Sequence, residues 1–176
     1  MWYNNNEGRI EIIRVLAIDQ STSSMGYAVM EGDNLVTFGI LEERALTDYK
    51  SKLEALILDY APEAIILEDL KGDRNVDTVR KLAEITGVIK ELCESLKIHY
   101  TEIHPAHVKS VIARTNKKDI LGRHISELYN LEFPYEEIYT IYKRGKNKGK
   151  SKVNKSHRFL NITDAIALGL CAHKED

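Results

Sequence analysis

The chain has no run approaching about 18 uninterrupted apolar residues, so no membrane-spanning helix is expected of it. Its polar start, MWYNNNEGR, lacks the apolar region of a signal peptide, and the corresponding expectation is a cytoplasmic location. Cysteine is scarce too. Cys93 and Cys171 each lie in apolar, helix-like surroundings, which fits reduced core residues rather than a disulfide or half a zinc site. There is no internal repeat, and no excess of positive charge: the formal net charge is −2 over 176 residues, an unpromising balance for a nucleic-acid binder. What is present, 43% hydrophobic and 30% charged residues, describes one globular domain long enough to bury a core.

The average charge hides a concentration. Residues 143–158, KRGKNKGKSKVNKSHR, hold six Lys and two Arg with no acid, a formal +8 that leaves −10 on the rest of the chain. Gly145, Asn147 and Gly149 oppose a stable helix, so the segment is expected to be a mobile loop that orders on a polyanion; the plainer reading is a solvated linker. Eight cations without a counter-charge favour phosphate contact. The candidates are Lys143, Arg144, Lys146, Lys148, Lys150, Lys152, Lys155 and Arg158, with His157 among them.

Three acids end or interrupt apolar elements. Asp19 closes the run Val15-Leu16-Ala17-Ile18 and is followed by QSTSSMGYAVM. A carboxylate there is costly unless paired or bound to a cation. The segment could present Asp19 to a divalent metal, wrap a phosphate in the backbone N–H groups of the turn, or be a hairpin whose turn begins with Asp. Glu68 and Asp69 follow Ala64-Ile65-Ile66-Leu67, at the end of a strand where open α/β sheets place functional groups. Asp164 is the single acid in the apolar, helical-length stretch 159–172, and Asn161 and His157 share its face at i−3 and i−7.

The segments VLAIDQSTSSMGYAVM, AIILEDL, PAHVKSVIA and NITDAIALGLCAH, in this order, resemble the RuvC family of Holliday junction resolvases in the ribonuclease H-like superfamily. The resemblance covers about residues 13–119 and 157–173. It implies that Asp19, Glu68 and Asp164 are catalytic acids, that Lys109 is a basic residue near the scissile phosphate, and that Lys117 or Lys118 is a second. The family usually carries a fourth acid where this chain has Asn161, and restoring it by Asn161→Asp is expected to keep or raise activity. The family often has an aromatic after Glu68; here the matching place is Lys71, and Lys71 and Arg74 would contact backbone phosphate. The basic segment is an insertion relative to the family. The resemblance further implies a homodimer with its contact at the long helix, and branched DNA as partner, whether Holliday junction, fork or flap.

The implied reaction is phosphodiester hydrolysis in recombination and repair. Two cations roughly 3.5–4 Å apart would serve it, and three carboxylates suit Mg²⁺, with Mn²⁺ able to substitute. Asp19 would bridge both ions, with Glu68 on one and Asp164 on the other. Asn161 could add a carbonyl oxygen, and His157 is the alternative, as ligand, as base, or as a phosphate contact.

The expected fold is α/β and ribonuclease H-like: a mixed five-stranded sheet flanked by helices, a single domain over 1–176 with the basic insertion at about 143–158. Strands are expected at 11–19, 26–31, 35–42, 64–68 and 98–103, with Gly32-Asp33-Asn34 as a hairpin turn. Helices are expected at 45–60, 75–96, 106–113, 118–128 and 159–172. In 75–96 the apolar stripe is Val76, Val79, Leu82, Ala83, Ile89, Leu92, Cys93 and Leu96. Residues 131–142 are either a hairpin arm leading into the basic segment or packing. His104 and His107 read as structural. Two alternatives stand beside the resolvase: IDQSTSS also resembles the first phosphate hairpin of sugar kinases and other actin-like ATPases, and RNA-processing YqgF-like nucleases share the fold.

Overall fold

The computed structural model describes residues 13–43, 45–69, 76–115, 117–132, 137–141, 146–155 and 159–174. Five strands form one sheet: β1 (Arg14–Asp19), β2 (Met25–Glu31), β3 (Asn34–Leu41), β4 (Ala64–Glu68) and β5 (His99–Ile103). Their order is β3-β2-β1-β4-β5, with β1 antiparallel to β2 and parallel to β4. The helices are α1 (Leu46–Tyr60), α2 (Val76–Leu96), α3 (Pro105–Ala113), α4 (Lys118–Leu128) and α5 (Leu160–His173). All five expected strands and all five helices are present, within a few residues of their expected ends.

Strand alternation sorts the core into two layers. From β1, Leu16 and Ile18 join Ile65 and Leu67 of β4 against α1 and α2. Val15 and Ala17 join Ile66 of β4 against α3, α4 and α5. Asp19 and Glu68 continue the second set of rows, two residues beyond Ala17 and Ile66, so both acids leave the sheet on the side that holds α5. That helix is buried nearly all round, from Ala165 through Ala172 without interruption, as expected of a helix apolar on every face.

The long helix departs from its expected stripe. Leu82, Ile89, Leu92 and Cys93 are buried, joined by Ile85 and Thr86, but Val76 is 81% exposed and Val79 and Ala83 are exposed with it. Twenty-one helical residues span about 31 Å, whereas a five-residue strand spans about 17 Å, so the first turns of α2 overrun the sheet they would cover. In α1, Tyr49, Leu53 and Ile57 are buried while Leu46 is exposed.

The basic segment is not simply a loop. Ser151–Lys155 form a strand, β7, paired antiparallel with β6 (Glu137–Ile141) in a separate two-stranded sheet. The two strands are in register along their length, with Val153 opposite Tyr139 and Lys152 opposite Thr140. Residues 146–149 turn the chain, and the Lys150 N–H donates to the Asn147 carbonyl (2.9 Å). The hairpin-arm reading of 131–142 therefore fits β6.

Candidate active site

Asp19 ends β1, Glu68 ends β4, and Asp164 lies one turn into α5. All three line one cleft of about 290 Å³, together with Asn161 of α5, Lys109 of α3, and Gln20 and Ser21 just past β1. Val108, Leu121 and Leu168 supply its apolar wall. Asp19 is 7% exposed; Glu68, Lys109, Asn161 and Asp164 are half-buried. The five residues expected at the catalytic centre are thus brought together from four elements separated by up to 145 positions in the chain.

Main-chain pairing fixes the carriers of the acids. Asp19 faces Gly26 across the β1–β2 ladder, and Glu68 pairs with Ile103 while the next N–H, of Asp69, donates to the Ile103 carbonyl (2.9 Å). Side-chain amides complete the frame. Asn161 Nδ2 donates to the Ser24 carbonyl (2.5 Å) and to Ser24 Oγ (3.0 Å), tying α5 to the turn after Asp19. This engages the amide nitrogen and leaves the carbonyl oxygen as the atom of Asn161 that could face an ion. It also bears on Asn161→Asp, because a carboxylate cannot donate to the Ser24 carbonyl; loss rather than gain becomes the expected outcome. Gln20 Nε2 donates to the Glu68 carbonyl (3.3 Å), and the Glu68 N–H donates to Gln20 Oε1 (3.1 Å).

The donor set is chemically of one kind. Three carboxylates, the Asn161 carboxamide and the Ser21 hydroxyl offer oxygen, and among the described residues no Cys or His lines the cleft, which suits a hard divalent cation such as Mg²⁺. Among the described residues no group of three or more His, Cys, Asp or Glu is gathered closely enough to form a finished metal cage. The fit therefore lies in the donors' chemistry and their shared cleft.

The remaining candidates are dispersed. Lys117 sits at the N-cap position of α4 without a capping side-chain bond, exposed and outside the cleft, and Lys118 begins that helix. Lys146, Lys148 and Lys150 are exposed at the hairpin turn, and Lys152 and Lys155 belong to β7. Lys71, Arg74, Lys143, Arg144, His157 and Arg158 lie outside the described residues. His104 is structural: its Nδ1 accepts the Ala106 N–H (3.2 Å) at the start of α3. Sequence reasoning missed Gln20, Ser24 and Gly26. Only Gly26 carried a signal, an isolated glycine in an apolar strand, which often marks a close backbone approach.

No family model matches the chain. A crossover junction endodeoxyribonuclease RuvC of Prochlorococcus marinus is 30% identical over 134 residues, covering 68% of this chain and 83% of the relative. The chain belongs to the RuvC family. The RuvC of Thermomicrobium roseum is 29% identical over 61% of this chain and 74% of its own, and that of Campylobacter concisus 24% identical over 90% and 94%. Among solved structures, Thermus thermophilus RuvC in complex with a Holliday junction substrate superposes with a TM-score of 0.67 at 14% identity, over 90% of this chain and 92% of that one. The yeast mitochondrial Holliday junction resolvase gives 0.59 at 15% identity, over 96% and 81%. These likenesses establish the ribonuclease H-like fold, and RuvC membership sets aside the actin-like reading of IDQSTSS.

Proposed function

We infer that this RuvC-family chain is an endonuclease that resolves Holliday junctions. The observation that carries the reading is the convergence of Asp19, Glu68 and Asp164, with Lys109, on one cleft in a RuvC-family fold. Asp19, Glu68 and Asp164 would hold Mg²⁺, two ions per site with Mn²⁺ as substitute, and the carbonyl oxygen of Asn161 would assist. Bound divalent cations supply Lewis acidity at the scissile phosphate and an activated water nucleophile. Lys109 would neutralise phosphate charge as the transition state forms. Burial of Asp19 keeps bulk water from competing for its carboxylate.

Lys146, Lys148 and Lys150, exposed at the tip of the β6–β7 hairpin, would grip backbone phosphates outside the cleft and position the junction without reading its sequence. The exposed apolar start of α2, Val76, Val79 and Ala83, supports a homodimer contact through that helix. Among the described residues no helix is long and apolar enough to cross a membrane, in keeping with a cytoplasmic DNA enzyme.

Labelled four-way junction, fork, linear duplex and RNA, each incubated with and without Mg²⁺, test the reading. Junction cleavage that requires Mg²⁺ and exceeds cleavage of linear duplex is expected. Preferential cleavage of RNA would move the chain to the RNA-processing branch of the fold, and junction binding without cleavage would make it a non-catalytic relative.

A further inference from the structure

The β1–β4 ladder stops one residue short of the acids. Its last pair is Ile18 with Leu67, and the pairing that would follow, between Asp19 and Glu68, is not made. On their outer sides both residues are held, Asp19 by Gly26 of β2 and Glu68 by Ile103 of β5. Past that last pair, side chains that cross from β1 to β4 bear on the separation of the two carboxylates.

Gln20 is such a side chain. Its Nε2 donates to the Glu68 carbonyl (3.3 Å) and its Oε1 accepts the Glu68 N–H (3.1 Å), so one side chain offers a donor and an acceptor as a continuing strand would. Gln20 is 4% exposed, although a buried carboxamide is costly unless it is hydrogen-bonded. Ordering so flexible a side chain also has an entropic cost, which this two-point contact offsets. We propose that Gln20 is a positioning residue: its carboxamide clamps the main chain of Glu68 and thereby sets the Glu68 carboxylate against that of Asp19. The inference rests on the metal-nuclease reading of the cleft. The core beneath does not depend on the clamp, since Leu16, Ile18 and Leu67 are fully buried in their own layer.

Gln20→Met keeps side-chain length and burial while removing both hydrogen bonds. Mn²⁺ binding to the full chain without DNA, followed by electron paramagnetic resonance, is expected to weaken about 10- to 100-fold, the usual effect of losing a partner that orients a ligand. Melting temperature is expected to fall by only several degrees for the two lost hydrogen bonds, about 2–4 °C per kcal/mol, and junction binding in EDTA to stay near wild type. Amide exchange in the wild-type chain gives a readout independent of any variant: the Glu68 N–H is expected to exchange slowly, and in Gln20→Met to speed up while the Leu67 N–H stays protected. A wild-type Glu68 amide that exchanges like an open loop overturns the proposal. So does unchanged Mn²⁺ affinity in Gln20→Met, and so does a joint loss of melting temperature, junction binding and Mn²⁺ affinity, which would make Gln20 a folding residue. Failure of the wild-type chain to take up Mn²⁺ would instead sink the metal-nuclease reading, leaving amide exchange to decide the clamp.

Discussion

A Cβ placed on Gly26 would lie 2.0 Å from the main-chain oxygen of Asn161 and 2.3 Å from its carbonyl carbon. Gly26 also faces Asp19 across the β1–β2 ladder, so one glycine touches both the strand carrying the first acid and the helix carrying the last. The obstructing atoms are backbone and cannot swing aside. Gly26→Ala is expected to push α5 off the sheet, cost about 1–3 kcal/mol through overpacking, and depress cleavage more than DNA binding. Thermal melting and single-turnover cleavage check this. Gly169→Ala serves as the milder control, because the 2.7 Å contact there is with the flexible side chain of Met30.

Asn161→Asp is expected to be less stable than Asn161→Ala. The aspartate would set a charged acceptor against the Ser24 carbonyl that Nδ2 now contacts, at a cost of about 1–3 kcal/mol for the lost and unsatisfied bond. Melting curves of both variants decide the order, alongside Mg²⁺-dependent cleavage. An Asn161→Asp enzyme more active than wild type would show that a fourth acid is wanted at this position.

Asp19→Asn, Glu68→Gln and Asp164→Asn are each expected to slow cleavage by about 10³-fold or more, the equivalent of several kcal/mol of transition-state charge stabilisation. Junction affinity should survive, because the basic hairpin tip is untouched. Gel-shift and single-turnover assays on the same preparations separate the two effects, and retained cleavage in any one variant removes that residue from the site.

Changing Lys146, Lys148, Lys150 and Lys152 together to Ala is expected to flatten the dependence of log affinity on log salt by roughly 3–4 units, with junction and linear duplex weakened alike. The chemical step at saturating DNA should be nearly unchanged. Fluorescence anisotropy across a salt series measures the slope, and an unchanged slope makes the hairpin a bystander.

Burial beneath the sheet pushes the Cys93 thiol up from 9.0 to about 11. The unfolded chain ionises this thiol first, so stability is held below about pH 9 and declines as pH rises toward 11. Melting temperatures between pH 8 and 11 should fall more steeply for wild type than for Cys93→Ala, and parallel curves would show that Cys93 does not contribute.

The sheet and its acids were legible because their signals are local. Val15-Leu16-Ala17-Ile18 and Ala64-Ile65-Ile66-Leu67 are apolar runs of strand length, each broken by an acid, and Gly32 takes a positive φ at the expected β2–β3 turn. The clamps were not legible. Gln20 meets Glu68 at a separation of 48 residues and Asn161 meets Ser24 at 137, and neither pairing has a periodicity or a spacing that a local pattern could show. β7 was hidden for a different reason: SKVNK is polar, and only its register opposite Ile138–Ile141 makes it a strand.

The sheet is begun by β1 and β2, yet the cleft is closed by α5, the last helix among the described residues, which packs on those first two strands and carries Asp164. During synthesis the chain can therefore build most of its scaffold before its third acid exists. A nascent or prematurely terminated product lacking α5 would hold strands and a hairpin but no complete set of acids. Asp164, the latest of the three acids in the chain, thus joins the cleft only once α5 has seated on β1 and β2.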